Sequence, residues 1–381
     1  MPPRRVRPLL LLSILLSTPA RLVAAQDLPA IDSIILAGRD RGIYPAAVVV
    51  IGRKDTVLYA RGYGHFTWNP RSAVPDPAQT IWDLASISKV VGTTTATMLL
   101  VERGLVDLDA PVQRYLPRFT GGRKAEVTVR MLLTHTSGLR SYVEFFKLAP
   151  TRDSAVTLLY AEPLRRAPGA SAEYSDLNAM LLGLLVEAVT REPLDRFASR
   201  EVFRPLQMSN TMYRPPDSLR PRIVPTGVWN GTPIAGEVND QNAVRLGEVA
   251  GHAGVFSTGA DLARYAQMWL NQGATPNGRL LRAPTVDEFL TPGRNAGVRL
   301  HGWEAPDPKE APPTPYGSLL SPRAYGHTGW TGTLFWIDPT RDLFLIFLTN
   351  RCYDPRVRRS IRELRAVRDR LSDAVVRATG G

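Results

Sequence analysis

In the stretch DLASISKVVG, residues 83–92, Ser86 stands three positions ahead of Lys89. The chain makes its positive charge almost wholly with arginine: Lys54, Lys89, Lys124, Lys147 and Lys309 are the only lysines among 47 Lys+Arg residues. An arginine keeps its proton at any useful pH, whereas a lysine taken out of water can lose it and serve as a base. A spacing of three puts both side chains on one helical face, one turn apart. With Ser86 at the helix start, the free N–H groups there favour a developing oxyanion. That is the arrangement nucleophilic catalysis needs, with Ser86 attacking and Lys89 taking its proton. The same spacing also suits a serine N-cap followed by a solvent-facing lysine, so the elements around the pair have to separate the two readings.

From Ser86 the pattern SISKVVGTTTATMLLVERG predicts a helix stopped at Gly104, and Pro111 in DAPVQRYL suits a first helical turn. In SDLNAMLLGLLVEAV, residues Leu177, Met180, Leu181, Leu184 and Leu185 form one apolar stripe. The ends of the chain read differently. PAIDSIILAGRDRG is a helix with Ile31, Ile34 and Ile35 on one face, and AAVVVIGRKDTVLYARG is two strands about a polar turn. GTLFWIDPTRDLFLIFLTN is a second hairpin, followed by an arginine-rich amphipathic helix whose cations are expected on its solvated face. Strands from both termini with helices between them imply an α/β lobe built from the two ends and a helical lobe inserted in it. The expected division is a leader over 1–25, lobe segments over 26–85 and 250–381, and a mainly helical lobe over 86–249. A cleft between lobes is the natural place for a ligand.

Residues 1–25 combine Arg4, Arg5 and Arg7, an apolar run and Val23-Ala24-Ala25, the composition of a secretory signal peptide too short to be a comfortable membrane span. Export to the periplasm or medium is expected, with membrane contact only through an uncleaved leader. The leader's four arginines account for four of the twelve net positive charges. The remaining excess is scattered and marks no nucleic-acid surface. Cys352 is the lone cysteine, which excludes an intramolecular disulfide.

Two further segments bear chemistry. AEYSDLNAMLLG offers Tyr174 just before a helix, and YGHTGWTGTLFW offers His327-Thr328-Gly329 at the entry to a strand. With Ser86–Lys89, Tyr174-Ser175-Asp176 and His327–Gly329 in this order, the chain resembles the serine β-lactamase and penicillin-binding-protein superfamily. The branch is that of class C β-lactamases, D-alanyl-D-alanine carboxypeptidases and β-lactamase-fold esterases. The resemblance spans essentially the whole chain after the leader and includes LLTHTSGL (132–139), PLQMSNT (205–211) and GHAGVFSTGADLARY (251–265). It implies an α/β, β-lactamase/transpeptidase-like fold, an antiparallel sheet flanked by helices with an inserted helical lobe. It also implies that Ser86 is acylated, that Lys89 and Tyr174 handle its proton, and that the N–H groups of Ser86 and Trp330 form the oxyanion hole. Asp176, His327, Thr328, Gly329 and Trp330 then bind substrate.

Two positions depart from the lactamase pattern. His327 replaces a lysine that helps hold a substrate carboxylate, and is largely neutral at pH 7, so carboxylate recognition is expected to weaken. Asp176 replaces an asparagine whose amide both donates and accepts, while an ionised aspartate only accepts, so efficient cephalosporin binding is not expected. His135 and His252 read as hydrogen-bonding turn residues, and His65 and His301 have no partner at ligand spacing, so no zinc site and no cofactor is expected. The segment APDPKEAPPTP, residues 305–315, reads as an irregular loop beside the His327 strand. The expected activity is an exported serine hydrolase working through an acyl-enzyme on an ester or amide, as a carboxylesterase or D-amino-acid peptidase. A class C-like β-lactamase or D-alanyl-D-alanine carboxypeptidase is the alternative, and a non-catalytic envelope-peptide binder the third reading. The partners are accordingly a small ester, amide or β-lactam, or a cell-wall peptide.

Overall fold

A computed structural model describes residues 28–380; the leader read in residues 1–25 lies outside them. Strands β1 (Ala46–Gly52), β2 (Val57–Gly64), β3 (Tyr325–Thr328), β4 (Leu334–Asp338) and β5 (Leu343–Thr349) form one sheet in the order β3-β4-β5-β1-β2. Every neighbouring pair is antiparallel. The first and last thirds of the chain thus meet where β1 pairs with β5, Val48 opposite Leu348 and Val50 opposite Ile346.

The near-continuous apolar runs of β1 and β5 follow from burial on both faces. In β1, Ala46, Val48 and Val50 point into one core and Ala47, Val49 and Ile51 into the other. The second core is closed by helix α1 (Pro29–Asp40), through Ile31 and Ile35, and by the C-terminal helix α5 (Ser360–Ala378), through Leu364, Val367, Leu371 and Val375. The first core is covered by helix α4 (Gly259–Leu270) and continues into the helical lobe, where α2 (Thr95–Glu102) packs against α3 (Asp176–Thr190). In α3 the expected stripe is buried at Leu177, Met180, Leu181 and Leu185, with Leu184 half-buried. Among the described residues no helix is long and apolar enough to cross a membrane.

Two local expectations are corrected. The segment after Asp83 is not one regular helix from Ser86: a 3₁₀ turn over Ala85–Ile87 leads into a wider π-helical stretch over Lys89–Thr94 before α2 begins. Irregular turns of this kind are frequent at functional sites. At Val112–Arg114 only a single 3₁₀ turn forms. The second correction concerns the arginine-rich terminal helix, whose cations do not all face solvent. Arg368 lies in its buried stripe with 4% of its surface exposed.

Candidate active site

A short strand, Trp82–Asp83, delivers Ser86 to its place. It pairs with Val255–Ser257, and the Leu84 N–H donates to the Val255 carbonyl at 3.0 Å. Both oxygens of buried Asp83 are used: Oδ1 accepts from the Ala85 N–H and Oδ2 from the Asn239 N–H, each at 2.8 Å. Burial nevertheless pushes the Asp83 carboxyl up to about 6. The tight turn holds Ala85 at φ 47°, a left-handed conformation that costs energy for a residue with a Cβ. Such strain just before a candidate nucleophile fits a side chain held out into a cleft.

Lys89 is buried and points back at Ser86. Its Nζ donates to Ser86 Oγ and to the His252 carbonyl, both at 2.9 Å. At 2.8 Å from Nζ sits Asp176 Oδ1, in an ion pair with it. Burial works against the charge on Lys89, but the Asp176 carboxylate and Tyr174 outweigh it and raise its pKa. Lys89 therefore rests as an ammonium, contrary to the expectation of a lysine ready to lose its proton. Asp176 occupies the first turn of α3, where a carboxylate is favoured, and pairs with Lys89 while lining the cleft.

Tyr174 stands beside them, its ring 5.1 Å from Lys89 Nζ. Burial raises its pKa, opposed by Lys89 and by hydrogen bonding with Lys89 and Ser86, so the resting group is a phenol. His135, 4.9 Å away ring to ring, accepts the Ser175 N–H on Nδ1 at 3.1 Å and so fixes the backbone beside Tyr174. His252 pairs with Asp240 at 2.9 Å while its carbonyl holds Lys89. Both histidines are hydrogen-bonding turn residues, and among the described residues no cluster is suited to a metal ion.

On the opposite wall β3 brings His327 and Thr328, followed by Gly329 and Trp330. Gly329 is required by close approach: a Cβ there would lie 2.6 Å from the Leu84 carbonyl oxygen. The turn is tied to the Ser86 segment by Thr331 Oγ1 donating to the Asp83 carbonyl at 2.8 Å and Thr333 Oγ1 to the Leu84 carbonyl at 3.1 Å. Neither the Ser86 N–H nor the Trp330 N–H donates to a protein acceptor among the described residues. His327 donates from Nδ1 to the Thr328 carbonyl at 2.8 Å, which leaves Nε2 an acceptor, buried and without a partner. Burial, with Lys89 and Arg299 nearby, holds its pKa down to about 3.

The two walls enclose a cleft of about 810 Å³ reached by Ser86, Tyr174, Asp176, His327, Thr328, Gly329 and Trp330. Lys89 lies just beneath its floor. Arg299 is a cleft residue that sequence reasoning missed: its guanidinium lies 5.0 Å over the Tyr174 ring and 3.4 Å from Glu304, with both side chains lining the cleft. It stands in no recognisable motif, and only the fold carries it there. The 305–315 segment is irregular and reaches the rim through Glu310 and Pro315.

The sequence profile of the Beta-lactamase family matches residues 31–369. The chain belongs to this family. It is a serine hydrolase of the β-lactamase and penicillin-binding-protein type. It is 31% identical over 346 residues to an Escherichia coli K12 protein named "Putative D-alanyl-D-alanine carboxypeptidase", covering 82% of this chain and 80% of that one. It is equally identical to the N-acetylmuramyl-L-alanine amidase of Bacillus subtilis, over 82% and 78% of the two chains. Among solved structures, a penicillin-binding protein homolog from Caulobacter crescentus superposes with a TM-score of 0.72 at 20% identity, covering 93% of this chain and 98% of that one. A family VIII carboxylesterase does so with 0.69 at 20% identity, over 94% and 99%. At such identities these two structures support the fold alone.

Proposed function

We propose that the protein is an exported peptidase that forms an acyl-enzyme at Ser86 and releases a D-amino acid from the end of a cell-wall-type peptide. The carrying observation is Arg299: a cation in the cleft, facing Tyr174, suits the terminal carboxylate of such a peptide. The cleft thus keeps a cation although His327 stands where the family's lactamases have a lysine. The D-alanyl carboxypeptidase name of the Escherichia coli relative agrees with this reading, and the basic, apolar and small-residue run of the leader supports export.

In the proposed chemistry Ser86 Oγ attacks the scissile carbonyl and its proton passes to Lys89 Nζ. Because Lys89 rests charged, it accepts that proton only as it gives one to Asp176 Oδ1, 2.8 Å away. The oxyanion is met by the N–H groups of Ser86 and Trp330. Tyr174 then protonates the leaving amine and is reprotonated from Lys89, which takes back the proton held by Asp176. The uncharged His327 acceptor holds a substrate N–H, or an O–H in an ester-cleaving reading, which the neutral wall it presents also favours.

A three-substrate panel on the purified protein tests the proposal: an N-acyl-D-Ala-D-Ala peptide, its L,L isomer and 4-nitrophenyl acetate, with Ser86→Ala as control. Release of D-alanine from the first alone of the two peptides, abolished in Ser86→Ala, is the expected result. Turnover of the ester with no release from either peptide replaces the peptidase with a carboxylesterase.

A further inference from the structure

Arg368 and Arg351 are buried guanidinium groups, 4% and 5% exposed, with no carboxylate within 4 Å among the described residues. Taking a cation out of water without a counter-ion is expensive. Burial, with Arg351 close by, indeed works against the charge on Arg368. What these two cations hold instead is the turn after β3. Arg368 Nη2 donates to the carbonyls of Gly329, at 3.0 Å, and Thr333, at 2.8 Å. Arg351 Nε donates to the Trp330 carbonyl at 3.1 Å.

The Gly329 carbonyl and the Trp330 N–H are the two ends of one peptide unit. A cation bonded to the oxygen draws electron density from that unit and makes its N–H a stronger donor, and hydrogen bonds in such a chain reinforce one another. The Gly332 N–H also donates to the Gly329 carbonyl, at 3.1 Å, so the unit cannot rotate without breaking two bonds. A preorganised dipole of this kind costs no reorganisation when charge develops on the substrate. An apolar residue at this place in the buried stripe of α5 would avoid the desolvation cost but could not reach the Gly329 carbonyl with a charged donor.

We infer that Arg368 is a positioning residue for acyl transfer: it orients and polarises the Gly329–Trp330 peptide, whose N–H faces the oxyanion. The inference rests on the acyl-enzyme reading above and adds to it a buried cation at the cleft wall that acts through a peptide group. It locates the energetic reason for a buried, unpaired arginine on the C-terminal helix at the far end of a single peptide group.

The test compares Arg368→Gln, which keeps a donor without the charge, with Arg368→Lys, which keeps the charge. Exposed Arg370→Met on the same helix is the control. Turnover of 4-nitrophenyl acetate, inhibition by phenylboronic acid, whose tetrahedral adduct places an oxygen in the oxyanion hole, and melting temperature are measured on each. In Arg368→Gln, kcat should fall about tenfold, a part of the 10²–10³ lost when an oxyanion donor is removed outright. KM should stay within about twofold, and phenylboronic acid should bind more weakly by a factor similar to the fall in kcat. Arg368→Lys should recover most of both, and Arg370→Met should match wild type. A folded Arg368→Gln protein with wild-type kcat and boronate affinity overturns the inference, even if its melting temperature drops, because that is the signature of a purely structural arginine. Should Arg368→Gln not fold, Arg368→Lys decides: kcat within about threefold of wild type is expected, and a loss of tenfold or more overturns it. Labelling by a fluorophosphonate separates the two levels. If Ser86 is not labelled in wild type, the acyl-enzyme reading falls and this inference with it; if Ser86 is labelled and Arg368→Gln behaves as wild type, this inference falls alone.

Discussion

Replacing Arg299 by glutamine removes the cation from the cleft while keeping a polar side chain of similar reach. In wild type the guanidinium is shared with Glu304 at 3.4 Å, and the Arg299 side chain is only 17% exposed. A substrate carboxylate about 4 Å away, in an effective dielectric of about 20, would be attracted by about 4 kcal/mol before any costs. Desolvating the carboxylate and drawing Arg299 partly from Glu304 reduce this to the range of charged hydrogen bonds, about 1.5–3 kcal/mol. That range is about 10- to 150-fold in kcat/KM. The assay is the ratio of kcat/KM for an N-acyl-D-Ala-D-Ala peptide to that for its C-terminal amide, which differs only in the charge Arg299 is held to meet. Arg299→Gln should lower the ratio by that factor, chiefly through the acid, while Glu304→Gln should raise it by freeing the guanidinium. If Arg299→Gln slows acid and amide equally, or changes the ratio less than threefold, Arg299 supports the Tyr174 ring and the carboxylate assignment is wrong.

Lys89→Arg keeps a charge opposite Asp176 but cannot pass a proton, so it should cost at least about 10²-fold in turnover of any acyl donor; near-normal turnover in a folded Lys89→Arg protein removes the relay. His327, held down to about 3, is neutral throughout pH 5–8. Lowering the pH to 5 should therefore not improve turnover of a carboxylate-bearing substrate relative to a neutral ester, whereas His327→Lys should improve it at every pH in that range; a rise toward pH 5 in wild type that His327→Gln abolishes would show a protonated imidazole instead. Asp83 carries an opposite sign. Its native carboxyl, at about 6, holds a proton that the unfolded chain, with the ordinary 3.8, has already lost. Its contribution to stability is full below pH 3.8 and is lost as pH rises through 6. Asp83→Asn should flatten the melting-temperature profile across pH 4–6, and an unchanged slope there contradicts this assignment.

Local patterns were enough for much of this protein. The runs AAVVVI and LFLIFL read as strands of two hairpins, and the stripe from Leu177 to Leu185 as a helix with one packed face, because turn residues and side-chain periodicity are legible locally; that both strands are buried on two faces came only from the fold. The three-residue step from Ser86 to Lys89 and the order of the Tyr174 and His327 segments likewise carried the family, since motif spacing survives in the sequence. What the sequence could not fix was the charge state of those groups. Lys89 is an ammonium because Asp176, 87 positions later, closes to 2.8 Å on it, and Tyr174 is a phenol because burial outweighs the cation beside it. Electrostatic energy depends on distance and dielectric, and neither exists until the chain is folded. Arg299 reaches the cleft, and Arg368 leaves the expected solvent face of its helix for the carbonyls behind the Trp330 turn, for the same reason. A sequence names which groups can carry charge, but only the packing of β3, β4 and α5 around one turn decides which of those charges are buried, and what they act on.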